Sequence, residues 1–403
     1  MIGSRFVSFA AGTLLAMTLQ GAWAQETVRI GAPFESTGKL ATYGAQGIRG
    51  LEMAVDAVGG KAAGRKIEVL ARDIQSTNQG TVSAFTDLLE GQKVDYVIGP
   101  IASGLVAAAV PAWRQQKPLW IVPGSSAPTF EEAIAKEPMV FHTYPWGYYY
   151  HEDVARAVGA ATGRGKKAAI VYSDGSYGRS QVATAKENLT EQGFTVVASE
   201  VVRENANDMS PVLQKIAAAK PDVLVAILQT TDGIVLAKQL FIAKLNIPYL
   251  VGTAYPQLET WAAASGEAAN GWIGATTYLP GMDRPADPKY PKLFPAAKDW
   301  EAAFRARYKR EPEFLDVTVY TSAVMLFLAM DEANSIDKTK VTEKLKHLGV
   351  QTMLGKGDFS PTKGGALNQA FSDMLVYQRQ GDKLVTVWPK DVANGSIKPI
   401  PPR

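Results

Sequence analysis

Two serine segments have the residue types and the placement to hold a carboxylate. Ser103 follows the strand predicted over residues 96–98, and the pair Ser125 and Ser126 follows the strand predicted over 119–122. Unpaired N–H groups at a helix start favour a bound anion, and a serine adds a hydroxyl donor. One such serine is an ordinary helix cap. Two of them in successive loops at one edge of a sheet favour a binding site.

Aromatic residues are placed to form another wall of this site. Tyr43 and Tyr177 each lie in a glycine-containing loop after a predicted strand, and such loops face a cleft. A denser cluster, which includes Tyr144 and Trp146, follows the strand predicted over 139–144. Because clusters of this kind also fill cores, Tyr43 and Tyr177 are the better candidates for the wall of a pocket.

Signatures of catalysis are missing from the sequence. The three histidines, His142, His151 and His347, have no metal-ligand spacing, and there is no cysteine, G-x-S-x-G motif or Walker A loop. Acids at predicted strand ends, such as Asp232, are typical of turns and helix caps. The sequence therefore indicates a binding protein that is not an enzyme, with no cofactor and no metal.

Composition narrows the class further. The chain has 403 residues, of which 46% are hydrophobic, enough for one large or two ordinary domains. Its 42 Lys and Arg against 39 Asp and Glu give a formal charge of only +3. So weak a charge argues against nucleic acid or an anionic membrane surface as the partner.

Residues 1–24 have the pattern of a signal peptide. Arg5 precedes an apolar run over 6–19, and Ala22 and Ala24 form the small-x-small pattern of a cleavage site. A membrane anchor is the alternative, but the run is shorter than the roughly 20 residues of a membrane span. With no cysteine to carry a lipid, we expect a periplasmic protein whose mature form is not embedded in a membrane.

Short apolar segments alternate with longer segments of helical periodicity along the rest of the chain. The predicted strands lie at 27–34, 66–74, 96–98, 119–122, 139–144, 168–172, 196–202, 223–228 and 249–252, followed by two more at 374–377 and 384–388. Two successive series of βα units predict an α/β protein with two doubly wound parallel sheets that face a common cleft.

The order of these pieces resembles the periplasmic solute-binding proteins that serve ABC importers of the leucine, isoleucine and valine class. The matching stretches are Ile30-Gly31-Ala32-Pro33, Thr37-Gly38, Tyr43-Gly44, Gly64-Arg65-Lys66-Ile67-Glu68, Tyr96-Val97-Ile98-Gly99-Pro100 with Ser103, Pro123-Gly124-Ser125-Ser126-Ala127-Pro128, Ser173-Asp174-Gly175-Ser176-Tyr177-Gly178 and Pro248-Tyr249-Leu250-Val251-Gly252. The resemblance covers nearly the whole chain after residue 24.

The resemblance implies the type I periplasmic binding protein fold, an α/β fold with two Rossmann-like lobes joined by three hinge crossings. The N-terminal lobe would consist of residues 25–143 and 279–357, and the C-terminal lobe of residues 144–278 and 358–403. The lobes would close over a small molecule by hinge motion, for which periplasmic binding proteins are a standard example.

The resemblance also implies roles for single residues. Ser103 and Ser126 match family positions that hold the ligand carboxylate, and the Gly124 carbonyl would accept a hydrogen bond from an α-ammonium. Tyr43 and Tyr177 match the aromatic residues of the first and second lobes. The full expected set of ligand-binding residues is Tyr43, Ser103, Gly124, Ser125, Ser126, Trp146, Tyr177, Thr230 and Ala254.

One position departs from the family pattern. Relatives that bind aliphatic amino acids commonly place an acid near the position of Ala254, where it meets the ligand ammonium. Loss of a charged acceptor for a buried ammonium costs a few kcal/mol, roughly enough to change the ligand class. Asp232 is the candidate substitute, and with Trp146 nearby the alternative ligand is an aromatic or other carboxylate without an amine.

The predicted function is that of the substrate-binding component of an ABC importer. It would capture a small carboxylate of the branched-chain amino acid class, as a monomer, and deliver it to the membrane permease subunits. The alternatives are a non-amino carboxylate as ligand, a ligand sensor built on the same scaffold, and an exported hydrolase. The hydrolase is disfavoured because no nucleophile and base pair is recognisable in the sequence.

Overall fold

The computed structural model describes residues 27–163 and 165–402, so the predicted signal peptide, residues 1–24, lies outside the described residues. Two large sheets, both mostly parallel and both flanked by helices, dominate the described chain. The predicted α/β class with two Rossmann-like lobes is confirmed.

The first sheet is built from the amino-terminal part of the chain and has the strand order β2-β3-β1-β4-β5-β6. Its strands are β1 (Val28–Phe34), β2 (Lys61–Ala62), β3 (Arg65–Asp73), β4 (Tyr96–Ile98), β5 (Leu119–Val122) and β6 (Val140–His142). Its helices are α1 (Ala41–Ala57), α2 (Asn78–Thr86), α3 (Ser103–Gln116) and α4 (Pro128–Ala133). Every residue of β4, β5 and β6 is buried, as expected for parallel strands covered on both faces.

The second sheet has the order β15-β14-β11-β10-β9-β7-β8. The strands after β6 are β7 (Lys167–Ser173), β8 (Thr195–Val202), β9 (Val223–Ile227), β10 (Tyr249–Gly252), β11 (Ile273–Thr276), β12 (Val350–Thr352), β13 (Gly355–Gly357), β14 (Leu375–Gln380) and β15 (Lys383–Trp388). Strands β14 and β15 join the sheet in antiparallel pairing, while β12 and β13 form a small separate hairpin.

Nine further α-helices follow β6 in the described part of the chain. They are α5 (Gly147–Thr162), α6 (Ser176–Arg179), α7 (Val182–Glu191), α8 (Ser210–Ala219), α9 (Thr230–Ile242), α10 (Glu259–Ser265), α11 (Ala297–Tyr308), α12 (Phe314–Ala333) and α13 (Lys338–Lys346). The chain passes between the two sheets three times: after β6, after β11 and after β13.

Helix α12 returns to the first lobe and packs against α1. The two helices approach closely at Gly50, where a Cβ would lie 2.5 Å from the Asp316 carbonyl oxygen. Beside this contact Arg49 Nε lies 2.8 Å from the carboxylate of Asp316. Of the helices in the described residues, α12 is the one that is long and apolar enough to cross a membrane, and nearly all of it is buried within the protein.

Candidate ligand-binding site

A cavity lies where the two sheets face each other. Its walls come from both lobes and from the start of α12. The lining residues are Tyr43, Ile101, Ala102, Ser103, Gly124, Ser125, Ser126, Tyr144, Tyr150, Tyr177, Leu228, Gln229, Thr253, Ala254, Phe314 and Leu315. Most of them follow the carboxyl ends of β4, β5, β9 and β10, where ligands of α/β sheets collect.

The serine side of the cavity presents hydroxyls that have no protein partner. Ser103 Oγ and Ser125 Oγ are both buried, and within the described part of the chain neither makes a hydrogen bond. A buried hydroxyl without a partner costs about 1–3 kcal/mol, so the arrangement favours an acceptor bound between them. Ser103 is the first residue of α3, where the helix dipole also favours an anion.

Ser125 adopts a left-handed backbone conformation, with φ of 65°, between two residues of negative φ. Such an alternation turns successive N–H groups toward one point and forms a concave anion site. Residues 124–126, here called the serine loop, all line the cavity, and this backbone conformation favours an anion beside them.

Part of the helix start is already occupied by an acid of the protein itself. Glu35 is fully buried, and its Oε1 accepts hydrogen bonds from the amides of Ile101 and Ala102 at 3.0 and 2.9 Å. Burial raises the pKa of Glu35, although the same amides act in the opposite direction. These two amides are therefore paired within the protein, whereas the hydroxyls of Ser103 and Ser125 are not.

The aromatic wall consists of Tyr43, Tyr144, Tyr150, Tyr177 and Phe314. Tyr144 and Tyr150 are hydrogen-bonded to each other through their hydroxyls. Burial raises the pKa of Tyr177 to about 12, so its phenol is neutral at physiological pH. This wall offers flat apolar faces with neutral hydroxyls at their edges.

The two lobes touch around the cavity. The Ser126 carbonyl accepts from the Gly147 amide at 2.7 Å, and Ser126 Oγ lies 3.5 Å from Gln181 Nε2. On the α12 side, Glu313 Oε1 accepts from the Glu259 amide at 3.1 Å. The conformation is therefore one in which the lobes have closed.

Seven of the nine expected ligand-binding residues line this cavity. They are Tyr43, Ser103, Gly124, Ser125, Ser126, Tyr177 and Ala254. The expected role of the Gly124 carbonyl stays a prediction; in the structure this oxygen lies 2.8 Å from His142 Nε2.

Trp146 and Thr230 were expected in the site and lie outside its lining. Trp146 is fully buried and stacks on the ring of His142, with centroids 3.7 Å apart. It comes four residues after the end of β6, and its ring packs in the core of the first lobe. Thr230 instead bridges to the Tyr43 hydroxyl at the edge of the cavity, at 3.0 Å.

The suggested substitute for the missing acid, Asp232, also lies outside the lining. Asp232 is buried, and its Oδ1 accepts from the Asn205 amide at 2.8 Å. Among the described residues that line the cavity, none is Asp, Glu, His, Lys or Arg. The cavity is therefore polar but carries no formal charge.

Sequence reasoning missed several lining residues. Tyr144 and Tyr150 belong to the aromatic cluster found in the sequence. The directions of their side chains depend on where α5 begins, at Gly147. Phe314 gave no local signal, because the helix predicted in this region started later, at residue 317. Thr253 and Gln229 follow β10 and β9, and that placement alone would have nominated them.

A family model described as "Periplasmic binding protein" matches residues 27–383. The Leu/Ile/Val-binding protein homolog 8 of Brucella abortus (strain 2308) is 27% identical, over 92% of this chain and 93% of its own length.

Two solved structures share the fold. The solute-binding protein of R. palustris in complex with benzoate has a TM-score of 0.78, 22% identity and coverage of 93% of this chain and 97% of its own.

The second is the branched-chain amino acid transporter substrate-binding protein LivJ of Streptococcus pneumoniae, in complex with isoleucine. It has a TM-score of 0.75 and 20% identity, and the match covers 89% of this chain and 98% of LivJ. The family model spans most of the chain, and the two lobes enclose a cavity as the fold requires. The chain therefore belongs to the type I periplasmic binding proteins of ABC importers, in the group named for leucine, isoleucine and valine.

Proposed function

We propose that this binding protein captures a small carboxylate that lacks an α-ammonium group and has a flat, aromatic body. The observation that carries the proposal is the lining of the cavity, which combines partnerless serine hydroxyls and tyrosine rings and, in the described residues, includes no acid. The ligand would then pass to the permease subunits of the importer.

The carboxylate would lie between Ser103 and the serine loop. Among the residues that line the cavity, Ser103 Oγ and Ser125 Oγ are the buried hydroxyls without a partner in the described chain, and the left-handed turn at Ser125 would add backbone amides. Hydrogen bonds from such groups replace the water that a carboxylate loses on burial. The rings of Tyr43, Tyr177 and Phe314 would hold the rest of the ligand.

An ammonium group finds poor support in the same cavity. A buried cation needs a paired charge or several well-placed acceptors. Ala254 supplies neither, and Asp232 is bonded elsewhere. The carbonyls of Gly124 and Ser125 both lie 2.8 Å from His142 Nε2, which directs them away from the ligand.

Leucine, isoleucine or valine is the second candidate ligand, favoured by the names of the relatives. Within the cavity Thr253 and Gln229 carry neutral oxygens that could accept hydrogen bonds from an ammonium. This alternative predicts binding without any ionised partner for the amine.

Thermal melting of ligand-stripped protein distinguishes the two candidates. The protein is unfolded, freed of ligand, refolded and melted with benzoate, 4-hydroxybenzoate or L-leucine. A compound at about 1,000 times its Kd adds about 4 kcal/mol of stability, which raises the melting temperature by several degrees. Stabilisation by the benzoates but not by leucine supports the proposal, and the reverse result overturns it in favour of the amino acid.

The remaining parts of the proposal concern location and assembly. We infer that residues 1–24 direct export to the periplasm and are removed there, and that the mature chain acts as a monomer. Size-exclusion chromatography and mass measurement of protein isolated from the periplasm test both inferences.

A further inference from the structure

His142 is a buried histidine that the proposed function does not use. It is the last residue of β6, at the first crossing between the lobes, and it is fully buried. One face of its ring stacks on Trp146 at an interplanar angle of 20°, and Phe130 approaches edge-on at 6.1 Å. The ring is therefore held in one orientation.

Both ring nitrogens of His142 face oxygen atoms. Nε2 lies 2.8 Å from the carbonyl of Gly124 and 2.8 Å from that of Ser125, while Nδ1 lies 2.6 Å from Gln369 Oε1. The orientation of the Gln369 amide is fixed, because its nitrogen donates to the carbonyls of Tyr144 and Phe371. All three groups around the ring are thus acceptors.

The proton count selects one tautomer. Burial lowers the pKa of His142 to about 4, so the ring is neutral at physiological pH and carries a single N–H. If Nε2 carried no proton, its lone pair would face two carbonyl oxygens. If Nδ1 carried no proton, its lone pair would face one amide oxygen. The tautomer with the proton on Nε2 therefore has the smaller repulsion and donates to the serine loop.

The contacted loop is the one that offers donors to the ligand. Ser125 has a positive φ, which non-glycine residues rarely adopt without support from their surroundings. With the carbonyls of Gly124 and Ser125 turned to His142, the amides and hydroxyls of the loop are left on the cavity side.

The backbone of His142 is tied to the third crossing of the chain. Its amide donates to the Asn368 carbonyl at 2.8 Å, and its own carbonyl accepts from the Ala370 amide at 2.9 Å. His142 itself lies on the first crossing, and Gln369 lies on the third. His142 therefore joins the serine loop to two of the three segments that cross between the lobes.

We propose that His142 is a positioning residue for ligand binding: through Nε2–H it fixes the serine loop in the conformation that receives a carboxylate, and it ties that loop to the crossing at Gln369. The inference rests on the proposed function only in placing the ligand carboxylate at this loop. It holds for an aromatic acid and for an amino acid alike.

Two substitutions separate this role from general packing. In His142→Gln the side-chain amide nitrogen takes the place of Nε2, whereas in His142→Asn it takes the place of Nδ1. We expect Gln to retain the bond to the loop and Asn to lose it. His151 supplies a control, because it is also buried but its side chain contacts Gln181 instead of the carbonyls of the serine loop.

Two measurements need no ligand. Nitrogen-15 spectra of the full, histidine-labelled protein should show the His142 signal, identified by its loss in His142→Gln, as the Nε2–H tautomer. Hydrogen exchange of the peptide covering residues 120–130 should be unchanged in His142→Gln and about tenfold faster in His142→Asn. A Nδ1–H tautomer, or equal exchange in the two variants, overturns the proposal.

Titration calorimetry with benzoate and L-leucine completes the test. For a probe that the wild type binds, we expect His142→Gln to stay within about threefold of the wild-type Kd and His142→Asn to bind at least about tenfold more weakly. His151→Gln and His151→Asn should both match the wild type. Failure of the wild type to bind either probe would contradict the proposed function, while the tautomer and exchange results would still decide the role of His142.

Discussion

The hydroxyl of Tyr43 lies 3.0 Å from Thr230 Oγ1, and this hydrogen bond joins the two lobes at the edge of the cavity. Tyr43 belongs to α1 of the first lobe, and Thr230 is the first residue of α9 in the second. A bond of this kind exists when the lobes are closed and is broken when they part. It therefore contributes to the closed state and, through it, to ligand affinity.

Replacement of Thr230 by valine should weaken ligand binding without harming the fold. Thr230→Val removes the hydroxyl while it preserves shape, so the closed state loses about 1 kcal/mol and Kd rises about fivefold. Calorimetry with a ligand found in the melting panel measures the change. Thr231→Val, on the exposed side of the same helix turn, is the control. An equal effect of both variants would show that the bond to Tyr43 does not matter.

Ser103→Ala should reduce affinity without destabilising the ligand-free protein. In the described chain Ser103 Oγ has no partner to lose, whereas a bound carboxylate would lose one donor, at a cost of about 1–3 kcal/mol. Ser265→Ala is the matched control, since that buried hydroxyl of the second lobe also has no partner in the described residues. If calorimetry gives an unchanged Kd for Ser103→Ala, the carboxylate does not bind where we place it.

Ala254→Asp should change the preferred ligand. A carboxylate at this lining position would repel a ligand without an amine and would offer the charged acceptor that an ammonium needs. We expect benzoate affinity to fall at least about tenfold and L-leucine affinity to rise. Ala254→Asn introduces a side chain of nearly the same size as Asp but without a charge. We expect it neither to weaken benzoate binding in this way nor to strengthen L-leucine binding. Competition melting with both compounds measures the shift, and tighter benzoate binding in the Asp variant would contradict the proposal.

Asp232 should affect the pH dependence of protein stability and should not affect ligand binding. Burial raises its pKa from 3.8 to about 6, so between these values the folded protein holds a proton that the unfolded chain has released. Stability should therefore decline as pH rises from about 4 to about 6, by at most about 1.4 kcal/mol per pH unit for one proton.

Asp232→Asn keeps the oxygen that accepts from the Asn205 amide and removes the titration. Urea unfolding at pH 4.5 and pH 7 should show a smaller decline in the variant than in the wild type, with an unchanged ligand Kd at pH 7. A loss of ligand affinity in Asp232→Asn would restore Asp232 as a partner of the ligand.

The fold was predictable because its signals are local and repeated. Strands such as β5 are short apolar runs after a helix and before a small-residue loop, and this pattern recurs in both lobes. Placement at strand ends also brought Ser103, Ser125 and Tyr177 to one cavity, because the carboxyl ends of parallel strands meet at one edge.

The parts that sequence reasoning missed depend on helix phase and on distant segments. Trp146 and Tyr150 lie four residues apart, yet Trp146 stacks on His142 and Tyr150 lines the cavity. Phe314 reaches the cavity from the start of α12, a segment that follows strands of both sheets along the chain. Such a contact follows from the packing of α12, and no local pattern encodes it.

Helix α12 has a consequence for the order in which the protein is made. It fills the centre of the first lobe against α1, yet it ends at Ala333, long after the strands of the second sheet have begun. A growing chain therefore cannot complete its first lobe from the first segment alone. The first lobe acquires its full core only once α12 has been made, and a chain that stops before α12 would leave the buried face of α1 in water, open to chaperones and proteases.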